Sequence, residues 1–396
     1  MNILLSGGWG YGNLGDDALL EASIVILRQV FPDSKITIMT YNPFDCIKGT
    51  DDVVPSLHRA IYGERAYKQL RIYEKSWNYD KYPSLIARVI NKIDRTIEPY
   101  RKKSDTYLDA FKADVKAMSY YKELFASADM FVMSGGGYFN SWEDSFNSRY
   151  MELSLAVETN TPIYILGQTI GPLTEQQTKI IAPLMKQVKA IYVRDVESQK
   201  DLKAMGCESI VAPDMALSYI GSDELQDRIC VIPAEYPIPV RQELIKALAE
   251  IAISTRMPMV LTATRLYNRD VNCLHEIYSQ LRKQGIDVTM VLPENFEQVK
   301  QTIKGCKYVI SRNLHGLILG WREGANVLCL CDERKFVSFM KQIGHEDSIV
   351  DVKTATSHDI MRMFNSVMKQ DAKEHSQKQK EIADDVLSAC NVVFKQ

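Results

Sequence analysis

The sequence has no long apolar run: nowhere in its 396 residues are there the roughly 18 or more consecutive apolar residues that crossing a bilayer requires. No membrane-spanning helix is expected. Met1 to Leu5 is a short apolar stretch with no basic segment ahead of it, unlike a secretory signal, so the expected location is the cytoplasm. Among the eight cysteines there is no C-x-x-C pair, which excludes the usual zinc and redox spacings, and no metal or cofactor is expected. Only Cys329 and Cys331 stand close together, on one face of an expected strand, an arrangement typical of buried reduced thiols. A net charge of −2, from 48 Lys/Arg and 50 Asp/Glu, gives no reason to expect a nucleic-acid partner or a solvating acidic tail.

With 46% hydrophobic residues, a chain this long carries material for more than one core. Short β-rich runs alternate with amphipathic segments: 2–5, 35–39, 130–133, 163–166 and 190–193, then 228–232, 259–262, 287–291, 308–310 and 326–330. That rhythm predicts α/β architecture with parallel sheets. The stretch 214–227 reads as a connection, so two α/β halves meet near residue 222 and face each other across a cleft. The domains expected are 1–222, 223–350 and a C-terminal part, 351–396, in which 357–396 reads as one or two polar amphipathic helices packed on the outside.

One region breaks the rhythm. Residues 59–122 are helical in pattern and carry 15 Lys/Arg against 8 Asp/Glu, with nine of the twenty tyrosines and Trp77. Such a basic, aromatic insertion suits an anionic membrane surface or a pyrophosphate-linked acceptor, and equally a solvated helical insertion.

Strand 2–5 runs into Ser6-Gly7-Gly8-Trp9-Gly10-Tyr11-Gly12-Asn13-Leu14-Gly15-Asp16-Asp17, followed by an apolar-periodic helix over 19–30. Glycines let a backbone approach an anion, and the helix start supplies N–H donors. Gly10-x-Gly12-x-x-Gly15 fits the dinucleotide fingerprint formally, but the second strand ends in Thr40-Tyr41-Asn42, with no acid for a ribose. Asp16 and Asp17 repel a pyrophosphate and suit sugar hydroxyls. Two further glycine-bearing loops are expected, Ser134 to Asn140 and Gly167 to Pro172, lining the same rim with Gly136, Gly137, Tyr138 and Gln168. Arg194 stands where a strand ends and a helix begins, placed for an anion; the alternative is an ion pair with Asp195 or Glu197. In the second half, Ser311-Arg312-Asn313-Leu314-His315-Gly316 makes a similar turn, and His315 is the histidine of the six best placed to exchange a proton near neutral pH.

As a set, 10–18, the triple glycine 135–137, Gly-Gln-Thr-Ile-Gly-Pro at 167–172, Arg-Asp-x-x-Ser at 194–198, Pro-Asp-Met-Ala-Leu at 213–217, Leu-His-Gly at 314–316, and Lys335 with Phe339-Met340-x-Gln342-Ile343-Gly344 resemble the polysaccharide pyruvyl transferase family, in order from residue 3 to about 345. The resemblance implies two Rossmann-like domains of GT-B-like architecture, the first on the acceptor side and the second on the donor side. It implies transfer of a pyruvyl group from phosphoenolpyruvate to two hydroxyls of a sugar or lipid-linked oligosaccharide, forming a ketal. His315, Arg312 and Arg194 are then the catalytic candidates, and Asn13, Asp16, Asp17, Gly136, Gly137, Tyr138, Gln168 and Lys335 the binding ones. One departure stands out: Asn313 occupies the position two before the histidine where the family usually has arginine, and Arg312 is expected to swing into that space beside Arg194. A nucleotide-sugar glycosyltransferase and a non-catalytic sugar- or nucleotide-binding protein are the alternatives. Peripheral contact with the anionic inner face of the membrane is expected of the insertion.

Overall fold

The computed structural model describes residues 1–10, 12–42, 49–57, 115–141, 143–221, 224–331, 333–351, 353–370 and 372–395. Most of the basic insertion, His58 and residue 222 therefore lie outside the described residues; from Val115 to Ala126 the chain is helical.

The alternating runs form two parallel sheets. The first contains β1 (Asn2–Ser6), β2 (Lys35–Thr40), β3 (Asp52–Pro55), β4 (Met130–Met133), β5 (Gly136–Phe139), β6 (Ile163–Ile170), β7 (Ala190–Val193) and β8 (Ile210–Val211). Its order is β3-β2-β1-β4-β6-β7-β8, with β5 paired to β6 off that path. The second, ordered β11-β10-β9-β12-β13, contains β9 (Gln226–Ile232), β10 (Met259–Thr262), β11 (Val288–Val291), β12 (Cys306–Ser311) and β13 (Asn326–Cys329). In each sheet the first strand lies inside, β1 between β2 and β4 and β9 between β10 and β12. Strand order reverses there, which opens a crevice at the carboxyl ends. Both the glycine-rich segment after β1 and the His315 segment after β12 leave from such ends.

Two expected loops are largely strand. Gly136 pairs with Gln168 and Phe139 with Ile170, so both glycine segments extend the sheet. The reason is a bulge: Gly167 adopts φ +59°, in the left-handed region that favours glycine, and a Cβ there would lie 2.7 Å from Met215 Cγ. The strand therefore continues past the glycine and turns Gln168 inward.

A single apolar cluster runs through both lobes. It joins Ile3, Leu19 and Ile26 of the first to Ile232, Val309, Leu317 and Ile318 of the second. The C-terminal helix, Ala372–Lys395, is expected outside and polar, yet its amphipathic face adds Ile382, Val386 and Val393 to this cluster. Its end returns to the first lobe, where the Phe394 ring lies 5.2 Å from Phe31 and 5.5 Å from Tyr164. His375 is buried, with Nε2 2.9 Å from the Trp321 carbonyl and its ring stacked on the indole. The seven described cysteines are buried, and no disulfide forms among them.

Truncating Ile382, 2% exposed, should therefore cost about 2–5 kcal/mol, as for other large-to-small core changes. Urea unfolding of Ile382→Ala measures it; a loss within 0.5 kcal/mol, the size ordinary for a surface site, is incompatible with a core role for this helix.

Candidate active site

The helix Leu14–Val30 starts five residues before its apolar periodicity does, so Asp16 and Asp17 lie in its first turn. Negative side chains suit a helix N-terminus. The N-terminus of this helix meets that of Leu314–Arg322 from the other lobe. Contact is close enough that a Cβ on Gly15 would fall 2.4 Å from the Cβ of His315. Asp16 Oδ1 lies 4.0 Å from His315 Nδ1, and each residue is 8% exposed. Asp16 Oδ2 accepts from Asn13 Nδ2 at 2.9 Å.

Burial sets both charges. It pushes the Asp16 carboxyl up to about 7, against the opposing pull of Arg194 and the Asn13 hydrogen bond, with Asp214 reinforcing burial. Burial also pushes the His315 imidazole down to about 4; Asp214 opposes this, while Arg194, Lys335 and Arg265 add to it. Near pH 6 the proton belongs on the carboxyl and the imidazole is neutral. Tyr138, whose ring sits against Gly8 and Gly136, is raised well above the usual phenol range, first by burial and then by Asp16.

Arg194 follows β7. Its Nη1 lies 2.6 Å from Asp214 Oδ2, and its Nε donates to Thr169 Oγ1 at 2.8 Å. The expected alternative, pairing with Asp195 or Glu197, is not what forms: Asp195 caps its own helix through Ser198 N–H and accepts from Thr169. Arg194 borders a small cleft together with Thr169, Asp214, Leu314, Lys335 and Gln342, so both lobes contribute. Gln342 Nε2 donates to the Arg194 carbonyl at 2.8 Å across the cleft. Lys335 is half-exposed, near Glu333 at 3.5 Å.

The structure does not bring Arg312 to Arg194. Arg312 N–H still pairs with the Ile232 carbonyl, so its side chain takes the opposite face from Ser311 and Asn313. Its guanidinium donates to the Glu235 carbonyl and lies 4.7 Å over the Tyr236 ring. Asn313 instead caps the helix that carries His315, accepting from Gly316 N–H at 3.4 Å. Gln168 is fully buried and donates to the Ser134 carbonyl; Gly136 is buried, and Gly137 is exposed beside Arg194. Asp17 is half-buried in the same turn as Asp16.

Sequence reasoning gave no role to Asp214 or Arg265. Asp214 stood inside the Pro-Asp-Met-Ala-Leu segment. Arg265 follows β10 as Arg194 follows β7, which is the same signal. Its backbone bridges Asn13, Leu266 N–H donates to the Gly12 carbonyl at 2.8 Å, and its guanidinium is held by buried Asp270 at 3.0 Å.

Solved structures define the architecture first. UDP-GlcNAc 2-epimerase from Neisseria meningitidis, in complex with UDP-GlcNAc, aligns with TM-score 0.56 at 12% identity, covering 100% of this chain and 99% of that one. The Methanocaldococcus jannaschii UDP-GlcNAc 2-epimerase aligns with TM-score 0.56 at 8% identity, over 95% and 98%. The chain is thus a GT-B-like, two-lobed α/β protein. It belongs to the polysaccharide pyruvyl transferase family, whose model matches residues 13–330, and is a transferase. It is also similar to the amylovoran biosynthesis protein AmsJ of Erwinia amylovora, 21% identical over 406 residues that cover 93% of this chain and 92% of that protein. Among the described residues, no helix is long and apolar enough to cross a membrane.

Two stability measurements follow. Arg194→Met leaves Asp214 buried and unpaired and should cost about 3–5 kcal/mol in urea unfolding; a neutral change would show that the pair is not buried in solution. Between about pH 4 and 6.5 the unfolded chain protonates His315 whereas the folded chain protonates Asp16, so their contributions to the pH slope oppose each other. Asp16→Asn removes one side of that balance. Its stability relative to the parent should fall on acidification through this window, with a slope up to about 1.4 kcal/mol per pH unit. Parallel curves for the two proteins would contradict these ionisations.

Proposed function

We propose that the protein transfers a pyruvyl group from phosphoenolpyruvate to two hydroxyls of a sugar in a cell-surface polysaccharide or its lipid-linked precursor, releasing phosphate. The observation that carries this reading is the buried Arg194 at an inter-lobe cleft bordered by Lys335, with His315 at the adjoining helix start. The donor presents a carboxylate and a phosphate close together, and a planar guanidinium with an ammonium suits that pair. Arg265 supplies a further cation from the second lobe, in the role first expected of Arg312.

The reaction adds a proton to the donor's methylene carbon, making an oxocarbenium-like centre. One sugar hydroxyl attacks it and loses its proton, phosphate departs, and the second hydroxyl closes the ketal and loses its own. Of the two hydroxyl protons released, one replaces the proton placed on carbon and one leaves with phosphate. His315 is the residue assigned to that proton transfer, and Asn13 and Tyr138, on the first lobe, to holding the acceptor. The cationic residues stabilise the charge that develops on phosphate. Work at the cytoplasmic side of the membrane, with the basic 59–122 segment toward an anionic acceptor or surface, accords with the charge of that segment.

Mass spectrometry of a lipid-linked oligosaccharide incubated with the protein and phosphoenolpyruvate should show one added pyruvate less water, with phosphate released. UDP-sugars should not replace the donor. His315→Ala should abolish turnover with an unchanged circular dichroism spectrum, and Arg194→Lys should raise the donor's KM. A full-rate His315→Ala protein, or sugar transfer from a UDP-sugar, would overturn the proposal.

A further inference from the structure

We infer that Gly137, the third glycine of the 135–137 run, is a specificity-determining residue: by carrying no side chain it leaves the Nη2 amino group of Arg194 open to an oxyanion of the donor. The inference deepens the proposed function and rests on its assignment of Arg194 to the donor.

The three glycines are not alike. A Cβ on Gly135 would lie 3.1 Å from both the Gly167 carbonyl oxygen and Leu19 Cδ2, tighter than ordinary contact. Gly136 has φ +136°, and a Cβ there would fall 2.3 Å from the Tyr138 ring. Packing therefore requires glycine at 135 and 136. Gly137 has neither reason. Its φ is not in the left-handed region, and beyond its chain neighbours the one heavy atom of the described residues within 4 Å of a Cβ is Arg194 Nη2, at the ordinary contact distance of 3.6 Å. The fold would accept alanine at 137, so the bare position answers to something other than packing.

Arg194 supplies the second half of the argument. Its Nε donates to Thr169 Oγ1 at 2.8 Å, and Thr169 donates in turn to Asp195 Oδ2 at 2.9 Å. Nη1 is held at 2.6 Å by Asp214 Oδ2, whose other oxygen accepts from Ala216 N–H at 2.9 Å. Nη2 has no hydrogen-bond partner among the described residues, yet it is not among the buried unpartnered atoms, so solvent reaches it. A guanidinium this buried keeps a donor unpaired only where water or an anion can come to it. Residue 137 is exposed beside that nitrogen, which puts the opening at Gly137.

An oxyanion binds a guanidinium nitrogen at about 2.7–2.9 Å. A carbon 3.6 Å from the same nitrogen crowds that approach, and a hydrogen does not. Because Nε and Nη1 are already fixed, Nη2 is aimed before the donor arrives and little side-chain freedom is lost on binding. Asn140 Nδ2 donates to the Gly137 carbonyl at 2.6 Å and holds the backbone of the opening in place.

The test is Gly137→Ala in the full-length protein, with three readouts. Its urea midpoint should equal or slightly exceed that of wild type, as for glycine to alanine at a compatible φ. Calorimetric titration with phosphoenolpyruvate should show affinity lowered about tenfold or more, the size of a lost charge-assisted hydrogen bond. In the pyruvyl-transfer assay the donor's KM should rise by a similar factor while the acceptor's KM holds. Titration needs no turnover: phosphoenolpyruvate bound by wild type and weakened in Gly137→Ala upholds the inference even where pyruvyl transfer is not seen, an outcome that counts against the proposed function alone. Equal donor affinity in the two proteins overturns the inference and leaves the proposed function standing. A urea midpoint clearly below wild type also overturns it, by making Gly137 a packing glycine like Gly136.

Discussion

The contact between Gly15 and His315 is the constraint on which the rest of this structure depends. Two helix starts, one from each lobe, meet with no side chain between them. Only glycine at 15 permits it, because any Cβ would occupy the space of the imidazole. The approach buries a carboxyl and an imidazole together, away from water, where neither is stable as an isolated charge. It also fixes how far the glycine-rich segment stands from the helix that carries His315, and so the width of the cleft beside Arg194.

That contact is held from below by the apolar cluster running through both sheets and from above by polar cross-lobe links. Lys300 pairs with Glu21 at 2.8 Å, Gln342 reaches the Arg194 carbonyl, and Arg265 bridges Asn13. Exposed ion pairs are individually weak, so position rather than energy is what these links supply. The larger energy lies in the shared core, which includes the returning C-terminal helix. Under the glycine turn, buried Arg149 pairs with Glu152 and donates to the Gly7 carbonyl at 3.0 Å, tying the turn to the helix Glu143–Glu158.

Parallel strands read clearly in the sequence because buried β-rich runs alternate with helical periodicity; β4, β7 and β10 fall on the expected residues. The edge strand β3 and the extension of β6 through Gly167 did not read, since a glycine-bearing run looks like a turn until its partner strand is known. The position of His315 at a strand-to-helix turn was legible for the same reason as that of Arg194: both follow apolar runs of strand length. Arg312 misled because adjacent residues leaving a strand point to opposite faces, and which of the two faces the cleft depends on the ladder register, a long-range property.

By itself the sequence determined the α/β class, the order of the strands along the chain, the turns that carry Arg194 and His315, and the family motifs. These are local, written in periodicity and in residue type at strand ends. Only the tertiary structure decided that Asp214 is the partner of Arg194, that Asn313 is a helix cap, that Arg265 stands beside the glycine-rich start, and that Asp16 meets His315. Each of these joins residues far apart in sequence, and the burial that sets the charges of Asp16 and His315 arises only when the lobes pack, so no local pattern could carry it.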